Sequence, residues 1–388
     1  MDSPVLAARV HEAIDAVDRG AWNALELGGV PFVRHEYLAA LEHGGAVGPG
    51  TGWTPRHVTV HEGTRLVGAL PLYEKSHSWG EFVFDFAWAQ AYHRYGLAYY
   101  PKLVVATPFT PATGPRLLVH PASDATRVRR ALLAAAAAVD PDCSSLHVEF
   151  ATAGESDFLV AEGFLPRIDC QFHWQNQGFG GFEDFLATFT AEKRKKARRE
   201  RRRVQESGIR FEMRSGGELG PAEWQRVYAL HASTFRRHGH EPYLTPAVFA
   251  ELAAGGAVVP RVLLALASGR IIATAIFFEG ADTLYGRYWG ADGDYHSLHF
   301  EACYHQGIEY CIGAGLQHFE PGTQGEHKVA RGFTPVLTHS AHLIRDGRFR
   351  EAIDRFLAEE RAGIRAYASD VATHAPFRAR SLELDPGP

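Results

Sequence analysis

The stretch "RVLLALASGRIIATAIFFEGADTLYGRYWGA", residues 261–291, holds three apolar runs separated by two glycine turns. The turns are Ser268-Gly269-Arg270 and Glu279-Gly280-Ala281. Runs of this length, rich in Ile, Val, Phe and Tyr and punctuated by glycine, predict a three-stranded antiparallel meander. Helical patterns flank it, at residues 224–238 and 245–254 before and 298–315 after. Further strands are expected at 316–322 and 333–344, then a closing helix. Strands in runs, crossed by few helices, argue for a mixed α/β fold rather than a doubly wound parallel sheet.

Working back toward the N-terminus, the first half repeats this plan. Residues 5–17 and 34–43 read as helices, and "HVTVHEGTRLVGALPLYEK" as two strands about Glu62-Gly63. "EFVFDFAWAQAY" and "KLVVATPFT" are apolar, buried segments. Residues 122–140 predict a helix capped by Ser123, and "SLHVEF" a buried strand. Gly178, Gly180 and Gly181 then break the pattern. This reading gives two domains, 1–178 and 179–388, a division that suits 388 residues.

The bulk numbers exclude several classes. Hydrophobic content of 46% is ample for packed cores, yet no apolar run approaches the roughly 18 residues of a membrane span. No secretory leader is apparent, and the four cysteines form no C-x-x-C pair, so reduced thiols and a cytoplasmic location are expected. The 21 histidines invite a metal reading. His299/Cys303 and Glu301/His305 are spaced to share helix faces. No H-E-x-x-H or paired-cysteine motif accompanies them, and no metal is expected.

One segment contradicts the overall charge. The chain carries −5, yet "KRKKARRERRR", residues 193–203, has nine basic side chains interrupted only by Ala197 and Glu200. The 182–208 segment around it reads as one long helix ending at Gly208. Like charges three and four residues apart on a helix cost a few tenths of a kcal/mol per pair, ~0.2–0.5, unless an anion neutralises them. Lys193, Arg194, Arg198 and Arg201 are therefore candidates to meet a phosphate-bearing partner. Carboxylates of the chain itself, or simply solvent, are the alternatives.

The order of features in the second half resembles the Fem-type peptidyltransferases, tandem acyltransferases of the GNAT superfamily. The matching features are the basic helix at 193–203, the "Y-x-Y-G-A"-like strand at 285–291, the acidic-glycine strand at 320–322, and the loop 325–333 with Lys328. Over about residues 55 to 360 the chain is similar to a group of predicted N-acyltransferases of unassigned role, through "LPLYEKSHSWGEFVFD" at 70–85 and "YYPKLVVATPFTPATG" at 99–114 in the first half. The resemblance implies two tandem GNAT-like domains with a cleft between them. It implies N-acyl or aminoacyl transfer to a small-molecule or peptide amine. The donor implied is aminoacyl-tRNA, which would meet the basic helix, with no bound cofactor.

Acyl-coenzyme A is the alternative donor. The usual GNAT pyrophosphate loop would fall at 290–300, where Asp292 and Asp294 stand in place of the glycine-rich signature that holds phosphates on backbone N–H groups. A non-catalytic module binding RNA or an acidic partner is the reading from another class.

Acyl transfer to an amine needs a base and an oxyanion donor. "HFEPGTQGEHKVARGF" concentrates Glu320, Gln324, Glu326, His327, Lys328 and Arg331 on one loop. Glu320 or His327 reads as the base, Glu301 as a second base candidate, and Lys328 as the oxyanion donor by its match to the Fem-type loop. Gln324 and Arg331 read as substrate contacts. Strict alternation would put Tyr285, Arg287 and Trp289 on one face of their strand, lining a cleft. In the first half, Lys75, His77, Glu81, Asp85, Tyr100, Lys102 and Phe109 lie within apolar strings and read as a pocket wall, with an internal salt-bridge network as the alternative.

Overall fold

The computed structural model describes residues 5–323 and 325–378. The chain divides into two compact units. One holds the described residues up to 169 together with 338–364; the other holds 170–337 and the described residues from 365 onward. This differs from a single cut at 178/179. Two of the three crossings fall inside strands, Leu165–Gln175 and Thr334–Ile344, and the third inside helix Gly347–Ala372. The glycine cluster at 178–181 marks the turn beyond a strand end, and composition carries no sign that the chain later returns to the first unit.

In the second unit the meander forms as expected. Strands Arg261–Ala267, Arg270–Glu279 and Thr283–Ala291 pair antiparallel, extended on one side by Arg210–Ser215. His318–Glu320 runs parallel to Thr283–Ala291 and pairs with Phe319 opposite Trp174. Helix Pro221–Arg237 packs on the meander. Gly290 makes the close approach possible: a Cβ there would sit 2.0 Å from the Leu230 carbonyl oxygen.

The long helix expected over 182–208 is two, Phe182–Ala187 and Ala191–Glu206. Thr188 ends the first by bonding its hydroxyl to the Phe185 carbonyl at 2.7 Å, and Phe189 turns into the core against Phe185. The helix expected over 298–315 does form and closes at Gly315 (φ +73°), but one turn, Glu301–His305, is widened to π geometry.

The first unit has its own meander, His57–Glu62 against Arg65–Leu70. Residues 5–17 are not a helix. They form strand Leu6–His11, paired antiparallel with His57–Glu62, and a short 3-10 turn, Ile14–Ala16. Sheet pairing at an open edge overrides a weak helical pattern. Residues 86–94, part of an apolar string, form helix Phe86–Arg94. Helix Ala125–Val139 is capped by Asp124 rather than Ser123, its carboxylate accepting from the Arg127 amide at 3.1 Å. Strand Ser145–Ala151 is buried along its whole length. It runs parallel to Lys102–Val105 and antiparallel to the C-terminal part of Thr334–Ile344. Val58, Leu70, Leu103, Leu132 and Val148 form the core against the Ala125–Val139 helix.

Candidate functional site

Residues 326–331 of the second unit coil into a 3-10 turn, Glu326–Arg331, which sorts the loop's polar groups. His327 points outward and Lys328 inward. Lys328 is 1% exposed, and its ammonium donates to the Gly322 carbonyl at 2.5 Å. Burial pulls its pKa down to about 7. His327 Nε2 lies 2.8 Å from the Tyr304 hydroxyl. Burial, then the charges of Arg331 and Lys328, lower the His327 pKa, so the ring is neutral near pH 7. Gly325, at φ +112°, leaves room for that ring; a Cβ would lie 2.2 Å from His327 Cε1. Glu320 stands at its strand end, 3.9 Å from His173 Nδ1 and in register with Tyr285. Burial, then Lys328, lower the His173 pKa to about 3.

The other expected residues divide. Arg331 is spent internally: it donates to the His327 carbonyl at 2.7 Å and to Glu200 at 2.9 Å, and stacks 3.4 Å over Phe300. It braces the loop. Glu301 is 3% exposed and bonded to His305 at 2.9 Å, Gln306 at 2.8 Å and Arg201 at 3.0 Å. Burial works to raise its pKa, but His305 and Arg201 outweigh it and hold the carboxyl at about 2. That is a poor base. Gln324 lies outside the described residues.

The Tyr285–Trp289 face differs from simple alternation. The register shifts so that Phe277 pairs with Gly286 and Ile276 with Tyr288, leaving Arg287 as an extra residue. The bulge puts Tyr285 on the face of Tyr288 and away from Trp289. Tyr288 packs on His231 and Phe249, while Trp289 meets His299 at 5.4 Å. Arg287 lies 5.7 Å from the Tyr288 ring. Trp289, Tyr295, His296, His299 and Arg237 line an open cavity of about 380 Å³. His299 also touches the rings of Tyr304 and His327, so this cavity adjoins the Lys328 loop.

The basic helix is partly neutralised by the protein. Arg201 meets Glu301 and Glu309, and Arg198 meets Glu183 at 2.5 Å. No ion pair within 4.0 Å involves Lys193, Arg194, Lys195, Lys196 or Arg199 among the described residues. Lys195, Lys196 and Arg199 are exposed, and Lys193 and Arg194 half-buried.

The first-unit residues do assemble, but as a sealed network. Lys75 and Lys102 are both 0% exposed. The Lys102 ammonium meets Glu81 at 2.6 Å, Ser78 at 3.0 Å, and Asp85. Burial favours a neutral Asp85, yet Lys102 and His147 hold it at about 2. Lys75 lies 3.6 Å from the Trp53 ring centroid and 3.7 Å from Glu81, and burial brings its pKa down to about 7. Glu149, fully buried, has its pKa raised by burial and by Glu81. The Tyr100 hydroxyl bonds Ser78 at 2.8 Å, His77 bonds the Thr51 carbonyl at 3.1 Å, and Phe109 packs 5.4 Å from Trp53. This is the internal salt-bridge arrangement; only His77 and Tyr100 keep partial exposure.

Sequence reading missed His173 and Tyr304 in the second unit and Glu149 in the first, and weighed His299 only as a metal ligand. Glu149 carried a signal: an acid inside the apolar string "SLHVEF" has to be compensated. Tyr304 sat within a helix pattern that gave no reason to prefer its face.

The chain is built of two mixed α/β units, the second carrying a buried lysine beside a histidine of lowered pKa. The FemAB-like family, described as peptidoglycan biosynthesis/recognition, matches residues 13–379, and the chain belongs to that family. Among solved structures it is similar to FemX, at 11% identity and TM-score 0.52 over 83% of this chain and 94% of that one. It is similar to L-PGS from Bacillus licheniformis, at 11% identity and TM-score 0.52 over 84% and 96%. A third is the C-terminal domain of a putative lysylphosphatidylglycerol synthetase from Agrobacterium fabrum, at 9% and 0.52 over 84% and 92%. At these identities the likeness is one of fold. No curated protein matches. Among the described residues, no helix is long and apolar enough to cross a membrane, and no group of three or more His, Cys, Asp and Glu is placed to hold a metal ion.

Proposed function

We propose that the protein transfers an acyl or aminoacyl group to an amine, with the Lys328 loop as its reacting centre. The observation that carries this is the pairing of a buried ammonium, Lys328, with an exposed neutral imidazole, His327, on one rigid turn. The Tyr304 hydroxyl and His327 Nε2 share a 2.8 Å hydrogen bond, and in the tautomer with the proton on Nε2 the Nδ1 lone pair is the base. The acceptor amine attacks the acyl carbonyl and gives its proton to His327. Lys328 donates to the developing oxyanion, an interaction strengthened by its desolvated setting. Collapse expels the donor's oxygen or sulfur, which takes the proton back from His327. No covalent enzyme intermediate is needed.

Aminoacyl-tRNA is the donor we favour. Membership of the FemAB-like family supports it, and so do the exposed, unpaired cations of the Ala191–Glu206 helix. Acyl-coenzyme A is the second reading, supported by the cavity lined by Trp289, His296 and Arg237. Of the two carboxylates that argue against phosphate, Asp292 is compensated by Arg226 and bonded by Tyr295 at 2.8 Å, while Asp294 lines the cavity itself. A transfer assay decides. Radiolabelled bulk aminoacyl-tRNA or acetyl-coenzyme A is mixed with a panel of primary amines and either the wild-type protein or the Lys328→Met variant. Amide-bound label formed by the wild type and lost in the variant supports the reading. Equal label in both removes Lys328 from the reaction.

A further inference from the structure

The first unit contains a cavity of about 210 Å³ that none of the residues above lines. Phe82, Phe84 and Phe150 supply aromatic walls and Ile168 an aliphatic one. Phe84 is 56% exposed, so the cavity has an aromatic edge open to solvent.

Two of these rings are held there against steric preference. Phe82 has φ +64° and Phe150 φ +52°. Bulky residues rarely adopt the left-handed conformation, and such outliers concentrate at ligand sites. At Phe150 the cause is visible. His339 pairs with Ala151 and Ala341 with Val148, so Glu149 and Phe150 together face Ser340. This bulge sends Glu149 into the buried network and re-aims Phe150 toward the cavity. The Phe150 amide, freed from the ladder, donates to Ser340 Oγ at 3.2 Å.

The polar wall specifies what fits. Arg167 Nε and Nη2 each donate to Glu360 at 2.8 Å, and its Nη1 donates to the Phe84 carbonyl at 3.0 Å. The guanidinium lies 5.2 Å from the Trp88 ring. Three of its five donors are committed, and two carboxylates, Asp169 and Glu360, line the cavity against this one guanidinium. A ligand here should therefore donate hydrogen bonds while burying an apolar body between the rings, which also attract a cation.

We propose that this cavity binds a primary ammonium group carried on a compact aromatic or apolar body. This binding does not depend on the acyl-transfer reading.

Isothermal titration of the full chain with phenethylamine, phenethyl alcohol and phenylacetate, without any acyl donor, tests it. The expected result is saturable binding of one phenethylamine, about tenfold tighter than either analogue. Phe82→Gly, which suits the left-handed backbone, and Glu360→Gln should each weaken it about tenfold. Should Phe82→Gly fail to fold, Glu360→Gln alone decides. No saturable binding of the amine at millimolar concentration, a preference for phenylacetate, or unchanged affinity in both variants would overturn the proposal. Because no donor is present, the result stands whether or not Lys328 supports transfer.

Discussion

Arg201 and Glu301 lie 3.0 Å apart although 100 residues separate them in sequence, and the pair is nearly closed to solvent. The most cationic segment of an acidic chain thus meets first a carboxylate of its own fold. Arg201 also stacks 4.1 Å from the Phe182 ring and reaches Glu309 at 2.6 Å. Breaking a buried pair costs about 3–5 kcal/mol because a charge is left uncompensated. Glu301→Gln should fall at the lower end, about 3 kcal/mol, since Glu309 remains. The carboxyl's pKa is depressed to about 2, so its stabilisation is fully present above the ordinary carboxylate range and lost as pH falls through 2. Urea unfolding of wild type and variant at neutral pH and in acid checks both the size and the convergence.

The remaining cations of the helix should carry the anion contact. Replacing Lys195, Lys196 and Arg199 together by alanine should lower the salt slope of tRNA binding by about 2–3, at roughly 0.7–0.9 per lost phosphate contact. Arg198→Ala, whose partner is Glu183, should leave that slope close to wild type. Fluorescence anisotropy across a salt series reads it.

Lys328 should cost stability while serving the reaction. Its pKa falls from the ordinary lysine value to about 7 on folding, so the unfolded chain binds the proton more tightly. The cost is fully present below pH 7 and fades as pH rises toward 10. Lys328→Met should therefore melt higher than wild type at pH 7, with the gap closing by about pH 10. Transfer should drop about 10²–10³-fold, the usual loss for an oxyanion donor. In wild type, kcat should rise as His327 loses its proton in mildly acidic solution and decline as Lys328 titrates near pH 7 and above.

Gly290→Ala tests the packing beneath the site. The added Cβ would meet the Leu230 carbonyl oxygen at 2.0 Å, and backbone on both sides cannot yield cheaply. A loss of about 1–3 kcal/mol is expected, with a lower melting temperature by calorimetry.

The residues 261–291 meander, the buried strand Ser145–Ala151 and the closing helix were legible because apolar runs and glycine turns act locally. Strand Leu6–His11 was not, since its partner, His57–Glu62, lies far along the chain and its own side chains are mostly exposed. The bulge at Arg287 inverted the assignment of Tyr285, as one extra residue flips every side chain before it, and a period-2 count cannot register it. Lys328 was singled out by its match to a family loop and His327 by its chemistry on the same loop. Their environment, from Tyr304, His299 and His173, came from separate elements of the fold. Phe82 and Phe150 carried no signal, because nothing in a phenylalanine announces a left-handed backbone.

The most direct test of the central proposal is thermal unfolding of wild type and Lys328→Met at low salt, with bulk aminoacylated tRNA, deacylated tRNA and acetyl-coenzyme A in turn. A ligand at a hundred times its dissociation constant adds about 2.7 kcal/mol. Stabilisation by tRNA that weakens with salt, larger for the charged form in wild type and equalised in the variant, is predicted. A shift with acetyl-coenzyme A and none with tRNA would contradict the favoured donor, and no shift with any of the three would contradict acyl transfer from either.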